Sequence, residues 1–297
     1  MKSGFVAIIG RPNVGKSTLL NQILEQKIVI ATNKAQTTRK RIKGIYTTED
    51  TQIVFIDTPG IHKPLNKLGE FLLDEAKISV PDADLVIFIT DVSTPAGKGD
   101  KWIVENVLAN TDIPVITVLN KADKASPKTI DENILSYKNL YPKSVDTIRI
   151  SAKTGKNKQK LIDIITKYLP KGEFLYPEDI VTEETMRSIV EEIVREKILL
   201  NTNDEIPHSV AVRVDNYKED KEIDRINATI YCEQKSQKGI LIGKGGALLK
   251  TIGTQARLDL EKITEKKIFL GLQIKVEKDW RKKENILKSF GYVSENK

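Results

Sequence analysis

The first half of the chain alternates short apolar runs with stretches whose apolar residues recur at helical spacing. This alternation is typical of an α/β domain in which helices cover both faces of a largely parallel, doubly wound sheet. In such sheets the ligand binds outside the carboxyl ends of the strands, so the residues that follow the strands should share one crevice. The predicted strands are Phe5–Ile9, Ile53–Ile56, Leu85–Thr90, Val115–Leu119 and Thr147–Ile150, followed by Gly10, Asp57, Asp91, Asn120 and Ser151.

The pattern changes after a predicted last helix, Lys156–Tyr168. The sequence LPKGEFLYPED follows, and its two prolines and one glycine indicate a linker. We place the linker at residues 173–181, between a first domain of residues 1–172 and a second, α+β domain of residues 182–297. The elements predicted for the second domain are a helix over 182–200, strands at Ser209–Asp215 and Ile226–Cys232, a basic turn with a helix, and a closing strand at Phe269–Val276.

A glycine-rich loop connects the first predicted strand to a helical segment. It reads Gly-Arg-Pro-Asn-Val-Gly-Lys-Ser over residues 10–17, and its spacing is that of a phosphate-binding loop. The glycines let successive backbone N–H groups converge on phosphate oxygens at the N-terminus of a helix. Lys16 would reach the outer phosphates, and the Ser17 hydroxyl would bind Mg²⁺. This loop predicts a nucleotide site rather than a glycine turn that happens to precede Lys-Ser.

The identity of the base is predicted from Asn120-Lys121-Ala122-Asp123, which follows an apolar strand. The carboxylate of Asp123 can accept hydrogen bonds from two neighbouring donors of guanine that adenine lacks, so it can select the base. The Lys121 stem can cover one face of the base, and Ser151-Ala152-Lys153 can close the other side through a backbone N–H group. A polar turn is the alternative, but the position at a strand end after a phosphate-binding loop favours a guanine site.

The uneven distribution of charge fits either a face that binds a polyanion or a solvated lysine-rich surface, and the neighbouring motifs decide between them. Residues 234–297 carry 15 Lys and Arg against 7 Asp and Glu, whereas residues 173–233 carry 7 against 16. This basic segment contains Gly243-Lys244-Gly245-Gly246, with apolar residues on both sides. A G-x-x-G turn in this setting is the KH arrangement, which clamps about four nucleotides by their backbone, although a helix-capping turn is the alternative. The predicted RNA-binding residues are Ile242, Gly243, Lys244, Gly245, Gly246 and Lys250.

The remaining composition limits the classes of protein that this chain can belong to. The single residue Cys232 excludes an internal disulfide framework, and with His62 and His208 it does not suffice for a zinc site. No apolar run approaches the ~20 residues of a membrane span. We therefore expect a cytoplasmic protein.

The first domain resembles the Ras-like GTPases. Asp57-Thr58-Pro59-Gly60 matches their switch II motif, which implies that Asp57 orients Mg²⁺ through water and that the Gly60 N–H group senses the γ-phosphate. Ile61 stands where Ras and Gα proteins place the glutamine that orients the attacking water. An aliphatic side chain cannot do this, so intrinsic GTP hydrolysis should be slow.

One bacterial subgroup shares this departure, the loop sequence of residues 10–17 and a switch I motif like Gln36-Thr37-Thr38-Arg39. The resemblance implies that Asn13 helps to hold K⁺ against the phosphates, although Asn13 could instead be a turn residue. It also implies that one threonine binds Mg²⁺; Thr38 is favoured and Thr37 stays open. The predicted catalytic residues are Asn13, Lys16, Thr38 and Gly60. The predicted nucleotide-binding residues are Gly10, Arg11, Pro12, Asn13, Val14, Gly15, Lys16, Ser17, Thr18, Asp57, Thr58, Pro59, Gly60, Asn120, Lys121, Asp123, Ser151, Ala152 and Lys153.

A GTPase domain of this type followed by one KH domain resembles the Era-type GTPases over essentially the whole chain. The resemblance implies a monomer with a type II KH fold, binding of the 3′ end of 16S ribosomal RNA, and a role in assembly or maturation of the 30S subunit, with peripheral association with the inner membrane in some cases. The rival hypotheses are a GTPase that acts at a membrane or on tRNA modification, and an RNA-dependent NTPase motor. The G-x-x-G helix disfavours the first, and the guanine-reading motif disfavours the second.

Overall fold

A computed structural model describes residues 1–32, 34, 37–109 and 111–292. The chain forms two compact units. The first contains Met1–Leu65 and Gly69–Glu183, and the second contains Asn66–Leu68 and the chain from Glu184 onward. Residues 173–181, predicted as a linker, lie within the first unit.

A six-stranded sheet forms the centre of the first unit, in the order β2-β3-β1-β4-β5-β6. Strand β2 is antiparallel to β3, and the other neighbours are parallel. The sheet is therefore mixed, and the predicted α/β class is confirmed. The strands are β1 (Lys2–Ile9), β2 (Ile42–Thr47), β3 (Thr51–Asp57), β4 (Leu85–Asp91), β5 (Val115–Asn120) and β6 (Asp146–Arg149).

Most strands of this sheet are apolar on both faces, so helices must cover both faces of the sheet. All seven residues of β3 and all six of β5 are buried, and apolar clusters that include Ile8 and Ala7 lie on opposite faces of β1. The helices are α1 (Lys16–Leu24), α2 (Lys67–Ile78), α3 (Lys98–Ile103, continued by a π-helical turn at Val104–Leu108), α4 (Pro127–Leu140) and α5 (Lys158–Tyr168).

Strand β2 is absent from the sequence-based prediction. Its residues alternate imperfectly between buried and half-exposed, and it contains Gly44. A short strand that pairs with one neighbouring strand gives a weak periodic signal, whereas the fully buried strands stand out as apolar runs. The miss therefore follows from its place at the margin of the sheet.

The segment 173–183, called the strap below, is bound to the sheet by a buried amide. The side chain of Gln52, on β3, is completely buried. Its Oε1 accepts hydrogen bonds from the backbone N–H groups of Leu175 and Tyr176, at 2.7 and 2.9 Å. Its Nε2 donates to the carbonyl oxygen of Tyr176 at 2.9 Å. One side chain thus satisfies three backbone groups of the strap.

The end of the strap pairs with β2. The N–H group of Ile45 donates to the carbonyl oxygen of Val181 at 2.8 Å. The Thr182 hydroxyl donates to the carbonyl oxygen of Lys43, also at 2.8 Å. The Lys43 ammonium lies 2.9 Å from a carboxylate oxygen of Glu183. The strap therefore extends the sheet beyond β2 by a short pairing.

The second unit packs helices against a three-stranded sheet of order β7-β8-β9, in which β8 is antiparallel to β7 and parallel to β9. The element order is αββααβ, apart from short helices, and the predicted α+β fold with a type II KH arrangement is confirmed. The elements are α6 (Met186–Asn201), α7 (Ile206–Ser209), β7 (Ala211–Lys218), β8 (Ile223–Cys232), α8 (Lys235–Ile242), α9 (Ala247–Thr264), β9 (Lys267–Val276) and α10 (Glu284–Ser289).

The core of the second unit lies between α6, α8, α9 and one face of the sheet. Alternate residues of β8, including Ile226, Ala228 and Ile230, face this core. Helix α6 begins at a Thr185 cap, whose hydroxyl accepts a hydrogen bond from the Ser188 N–H group. In the described ranges, no helix combines the length and the apolar character needed to cross a membrane.

Candidate functional site

The loop between β1 and α1 has the backbone that its glycines allow. Asn13 and Gly15 have φ angles of 64° and 104°. A Cβ atom on Gly15 would lie 2.3 Å from the Asn120 Nδ2 atom, and one on Gly10 would lie 2.3 Å from the carbonyl oxygen of Ile89. Neither position can therefore accept a side chain without displacing the base-reading motif or the β4 backbone.

Lys16 provides a buried cation at the start of α1. Its ammonium group donates to the carbonyl oxygens of Arg11 and Gly10, at 3.1 and 3.4 Å. Burial lowers the pKa of Lys16 to about 8, and the nearby Asp57 carboxylate opposes this shift. A phosphate oxygen in the crevice would favour the charged form, so this cation is suited to binding an anion.

Three oxygen-bearing side chains converge beside Lys16. The Ser17 hydroxyl lies 2.7 Å from Asp57 Oδ2 and 2.9 Å from Thr38 Oγ1, and Thr38 Oγ1 lies 3.3 Å from the same carboxylate oxygen. The other oxygen, Asp57 Oδ1, is buried and has no hydrogen-bond partner within the described residues. Burial raises the pKa of Asp57 to about 6. Hydroxyl and carboxylate oxygens with an unsatisfied acceptor are the chemistry that Mg²⁺ requires.

The two threonines of the switch I motif have different surroundings. Thr38 is buried against Ser17 and Asp57. The Thr37 hydroxyl instead contacts Thr32 Oγ1 at 2.8 Å and donates to the carbonyl oxygen of Lys34 at 2.6 Å. The geometry therefore places Thr38, and not Thr37, with the oxygen atoms of Ser17 and Asp57. Gln36, the first residue of the motif, lies outside the described residues.

The switch II motif lies against the phosphate-binding loop. The Thr58 hydroxyl donates to the carbonyl oxygen of Ile8 at 2.7 Å, which fixes the start of the motif after β3. A Cβ atom on Gly60 would lie 2.7 Å from the Cα atom of Pro12. The Ile61 N–H group donates to the carbonyl oxygen of Gly10 at 3.1 Å, and its side chain is buried in an apolar cluster. Ile61 therefore offers no polar group to an attacking water.

Asn120 ties the base-reading motif to two other loops. Its Nδ2 atom donates to the carbonyl oxygen of Val14 at 2.8 Å, in the phosphate-binding loop. Its Oδ1 atom accepts from the N–H group of Ala152 at 2.8 Å. Because Asn120 is buried, it holds the phosphate-binding loop and the Ser151–Lys153 loop in a fixed relation.

The other polar side chains of the predicted base site, Asp123 and Lys121, each have a side-chain partner. Asp123 Oδ1 accepts from the Ser151 hydroxyl at 2.6 Å, which lowers the pKa of Asp123; the nearby Lys153 adds to this effect. The Lys121 ammonium lies 2.6 Å from Asp91 Oδ2. Burial opposes ionisation of Asp91, but the hydrogen bonds from Lys121 and Ser93 lower its pKa. Asp91 was predicted only as a strand-end residue, and its role in holding Lys121 was missed.

Arg11 is a predicted nucleotide-binding residue whose side chain does not reach the crevice. Its Nε atom donates to Asp100 Oδ1 at 2.8 Å, and Asp100 is fully buried. The other Asp100 oxygen accepts from the N–H group of Gly97 at the start of α3. A Cβ atom on Gly99 would lie 2.6 Å from the Arg11 side chain. The side chain thus packs on α3, and only the Arg11 backbone belongs to the phosphate-binding loop. No sequence signal marks Asp100.

The phosphate-binding loop, the segment that contains Thr37 and Thr38, and Gly60 form a cleft of about 370 Å³. The base-reading residues Asn120, Asp123 and Ser151 are not among the residues that line it. It contains most of the predicted phosphate-side residues and three residues that sequence reasoning missed, Ala31, Thr32 and Lys34. The lining residues are Pro12, Asn13, Gly15, Lys16, Ser17, Thr18, Ala31, Thr32, Lys34, Thr37, Thr38 and Gly60.

The G-x-x-G turn of the second unit joins α8 to α9. Its glycines have φ angles of 73°, 59° and 81° at Gly243, Gly245 and Gly246. A Cβ atom on Gly243 would lie 2.8 Å from the Leu248 side chain, whereas one on Gly245 or Gly246 would meet nothing within 4 Å. Lys244 is exposed between them. The backbone of this turn is therefore open to a ligand that approaches closely.

A groove of about 720 Å³ runs from the turn between α9 and β9. Of the predicted RNA-binding residues, it includes Gly246 and Lys250, while Ile242 packs against the core. The other residues that line the groove were not predicted. Those on α9 recur at helical spacing, which is a signal visible in the sequence, and those on β9 are alternate residues of the strand. The lining residues are Gly246, Leu249, Lys250, Gly253, Thr254, Arg257, Leu270 and Leu272.

Two family models match the chain in the order of the two units. The model described as a 50S ribosome-binding GTPase matches residues 5–121. The model described as a KH domain matches residues 205–281. The first match contains the phosphate-binding loop and part of the base-reading motif, and the second contains the G-x-x-G turn.

Full-length relatives share the same organisation. The chain is 46% identical over 295 residues to the GTPase Era of Staphylococcus epidermidis, which covers 99% of this chain and 98% of the relative. It is 49% identical over 296 residues to the GTPase Era of Alkaliphilus oremlandii, covering 98% and 99%.

Solved structures agree with these relatives. A structure of Era in complex with MgGDPNP and nucleotides 1506–1542 of 16S ribosomal RNA superposes with a TM-score of 0.96 at 40% identity, covering 99% of both chains. A variant of Aquifex aeolicus Era bound to GDP and AlF4⁻ gives a TM-score of 0.95 at 39% identity, covering 99% and 100%. The chain therefore belongs to the Era family of GTPases.

Proposed function

We propose that this GTPase is a guanine-nucleotide switch that binds single-stranded 16S ribosomal RNA through its second unit and acts in assembly or maturation of the 30S subunit. The observation that carries the proposal is the presence, in one chain, of the oxygen-lined nucleotide cleft and the G-x-x-G groove. The related Era complex with MgGDPNP and a 16S ribosomal RNA fragment supports it. We place this activity in the cytoplasm.

Mg²⁺ would be held by Ser17 and Thr38 directly and by Asp57 through water. The unsatisfied Asp57 Oδ1 atom and the adjacent hydroxyl groups fit this metal. When bound, the metal neutralises charge on the β- and γ-phosphates. Because the Ser17 and Thr38 hydroxyl groups already lie within 3 Å of each other, little reorganisation is needed on binding.

Hydrolysis in this cleft depends on positioning and charge. Lys16 pairs with the outer phosphates, and the Gly60 N–H group donates to the γ-phosphate. Ile61 cannot orient the attacking water, so the chemistry must rely on backbone groups and cations. We assign Asn13, exposed at the cleft with its left-handed backbone, to a K⁺ ion that takes the place of an arginine finger.

The state of the nucleotide is read by Thr38 and Gly60, one in each switch. Loss of the γ-phosphate would remove the group that Gly60 contacts and change the surroundings of the metal that Thr38 would hold, which releases the switches. Thr38 lies four residues before β2, the strand that pairs with the strap. A change at switch I therefore has a short route to the strap, along the chain to β2 and then through the hydrogen bonds between β2 and the strap.

RNA binding is assigned to the turn and the groove. The open backbone at Gly245 and Gly246 admits the sugar-phosphate chain, and Lys244 and Lys250 pair with phosphates. The apolar groove floor, including Leu270 and Leu272, suits unstacked bases. This division of contacts favours single strands over duplex RNA.

The double substitution Lys244→Asp and Gly245→Asp tests this assignment. It places two carboxylates against the phosphate backbone, and binding of an RNA from the 3′ end of 16S ribosomal RNA should weaken by at least 30-fold. Aspartate tolerates the left-handed backbone of position 245, where a Cβ atom meets nothing. The fold and the affinity for GDP should therefore be unchanged.

Lys138→Asp with Asn139→Asp is the matched control, since it makes the same change in net charge on exposed residues of α4. The control should bind RNA like the parent protein at equal salt. Crosslinking in cells, followed by sequencing of the bound RNA, identifies the natural target. Recovery of tRNA instead of the 3′ end of 16S ribosomal RNA would overturn the proposed function.

A further inference from the structure

The sheet of the second unit has an outward face opposite its core. Residues of β9 alternate between the two faces: Leu270 and Leu272 line the groove, while Phe269, Gly271 and Gln273 face away. Phe269 is 49% exposed, which is unusual for a phenylalanine in a strand. This outward face is not used by the RNA contacts described above.

Phe269 is paired with a cation on the neighbouring strand. Arg225 of β8 is its direct partner in the register, so both side chains lie on the outward face. The guanidinium carbon of Arg225 lies 5.9 Å from the centre of the Phe269 ring. A cation at this distance interacts favourably with the ring. The guanidinium therefore lies over one face of the ring, and the pair brings an aromatic surface and a positive charge to the same place on the outward face.

Next to this pair the surface is shallow and carries amide groups. A Cβ atom on Gly271 would lie 2.4 Å from Asn227 Oδ1, so the Asn227 amide lies across the glycine backbone. The Gln273 amide donates to the Thr229 hydroxyl at 2.8 Å and to the Asp215 carboxylate at 3.3 Å, so one anion lies at the β7 side of this surface. We call the surface formed by Arg225, Asn227, Phe269, Gly271 and Gln273 the platform.

The charge around the platform is positive along β9. Lys267 and Lys275 alternate with the groove residues and are exposed on the same side as Phe269. These two lysines and Arg225 bring three cations to one face. The apolar area of a single ring is far below what a stable protein interface buries. A shallow surface with one ring, two amides and several cations suits a nucleotide better than a protein.

We propose that the platform is a second contact for single-stranded RNA. One base stacks on Phe269, and the adjoining phosphates pair with Arg225 and Lys267. Strand β9 lies at one end of the strand order and lines the groove with its other face. An RNA that fills the groove therefore reaches the platform by crossing this one strand. The inference rests on the proposed function, because it assumes RNA in the groove.

The test compares two RNAs on the full-length protein. The short RNA has the four nucleotides that a G-x-x-G groove clamps, and the long RNA adds six nucleotides at each end. Phe269→Ala and Arg225→Ala should each lower the affinity for the long RNA by about tenfold, because each removes one stacked base or one phosphate contact. The affinity for the short RNA should be unchanged. Leu135→Ala and Lys138→Ala, on exposed positions of α4, are the matched controls and should alter neither affinity.

Phe269→Trp adds a direct readout. Its fluorescence should change on addition of the long RNA but not of the short RNA, because only the long RNA reaches the platform. If Phe269→Ala binds both RNAs as tightly as the parent protein, or if the long RNA does not change the fluorescence of Phe269→Trp, the platform is not an RNA contact. Either result would leave the assignment of RNA to the groove unaffected. Failure of the parent protein to bind either RNA would instead overturn the proposed function.

Discussion

Replacement of Asn120 by alanine should separate nucleotide binding from general stability. The Asn120 amide connects the carbonyl oxygen of Val14 to the N–H group of Ala152, with both hydrogen bonds at 2.8 Å. Only 2% of the residue is exposed, so water does not replace these bonds in the folded protein. The substitution leaves one acceptor and one donor without partners in two loops that we expect to contact the nucleotide.

The size of the effect follows from these two groups. A buried polar group left without a partner costs about 1–3 kcal/mol, so the total cost is about 2–6 kcal/mol. Part of this cost lowers the free energy of unfolding, and the remainder lowers the affinity for GDP. If half appears in binding, the dissociation constant for GDP rises by about 5- to 150-fold, since 1.4 kcal/mol corresponds to a factor of ten.

Asn133→Ala provides the control. Asn133 is also a buried asparagine, and its Nδ2 atom donates to the carbonyl oxygen of Val92 at 2.9 Å, so it stabilises the segment after β4 and not the two loops that the Asn120 side chain connects. It should lose stability by about 1–3 kcal/mol and keep its affinity for GDP. Urea unfolding measures the first quantity, and displacement of a fluorescent GDP analogue measures the second.

The reasoning fails if Asn120→Ala binds GDP as tightly as the parent protein. It also fails if Asn133→Ala loses GDP affinity to the same extent, because stability alone would then explain the result. Asn120→Asp sharpens the test, since it keeps the acceptor for Ala152 but sets a carboxylate oxygen against the Val14 carbonyl. This variant should bind GDP no better than Asn120→Ala.

Three further outcomes are expected. Asp123→Asn should shift preference from guanine to xanthine nucleotides, because the amide offers a donor where guanine also donates; competition between GDP and xanthosine diphosphate measures this. GTP hydrolysis should be several-fold faster in KCl than in NaCl at equal ionic strength, and Asn13→Ala should abolish the difference. Asp91→Asn should lower the free energy of unfolding at pH 7. The native pKa of Asp91 is lowered from 3.8, so the stabilisation by its carboxylate is present above this value and is lost as the group is protonated. The difference in free energy of unfolding between the parent protein and Asp91→Asn should therefore vanish at pH values well below 3.8, as measured by guanidinium unfolding.

Much of the fold could be predicted from the sequence because buried parallel strands are written as apolar runs. Strands β1 and β3 to β6 were located this way, and the strand-end positions led to the cleft. Strand β2 was missed because it is half-exposed and carries a lysine and a glycine among its apolar residues. The sequence predicts residues 173–181 of the strap as a linker, because prolines and glycine indicate irregular backbone. Irregular backbone does not show which residues the segment contacts.

Side-chain roles within the cleft were harder to predict than its location. The loop motif contains Arg11, but only the structure places the guanidinium on Asp100 of α3. The choice between Thr37 and Thr38 depends on the path of switch I, which local sequence does not encode. Along α9, by contrast, the groove residues Lys250 and Arg257 could have been found, because helical spacing from Gly246 already puts them on one face.

The strap has a consequence for dividing the protein into parts. A fragment cut at Gly172, where the sequence places the domain end, would lose the backbone groups that satisfy the fully buried Gln52 amide. It would also bare the β2 backbone at Ile45, and an unpaired strand edge invites pairing with another molecule. We therefore expect a GTPase fragment that ends at Glu183 to keep these contacts, and the shorter fragment to be less stable and prone to self-association.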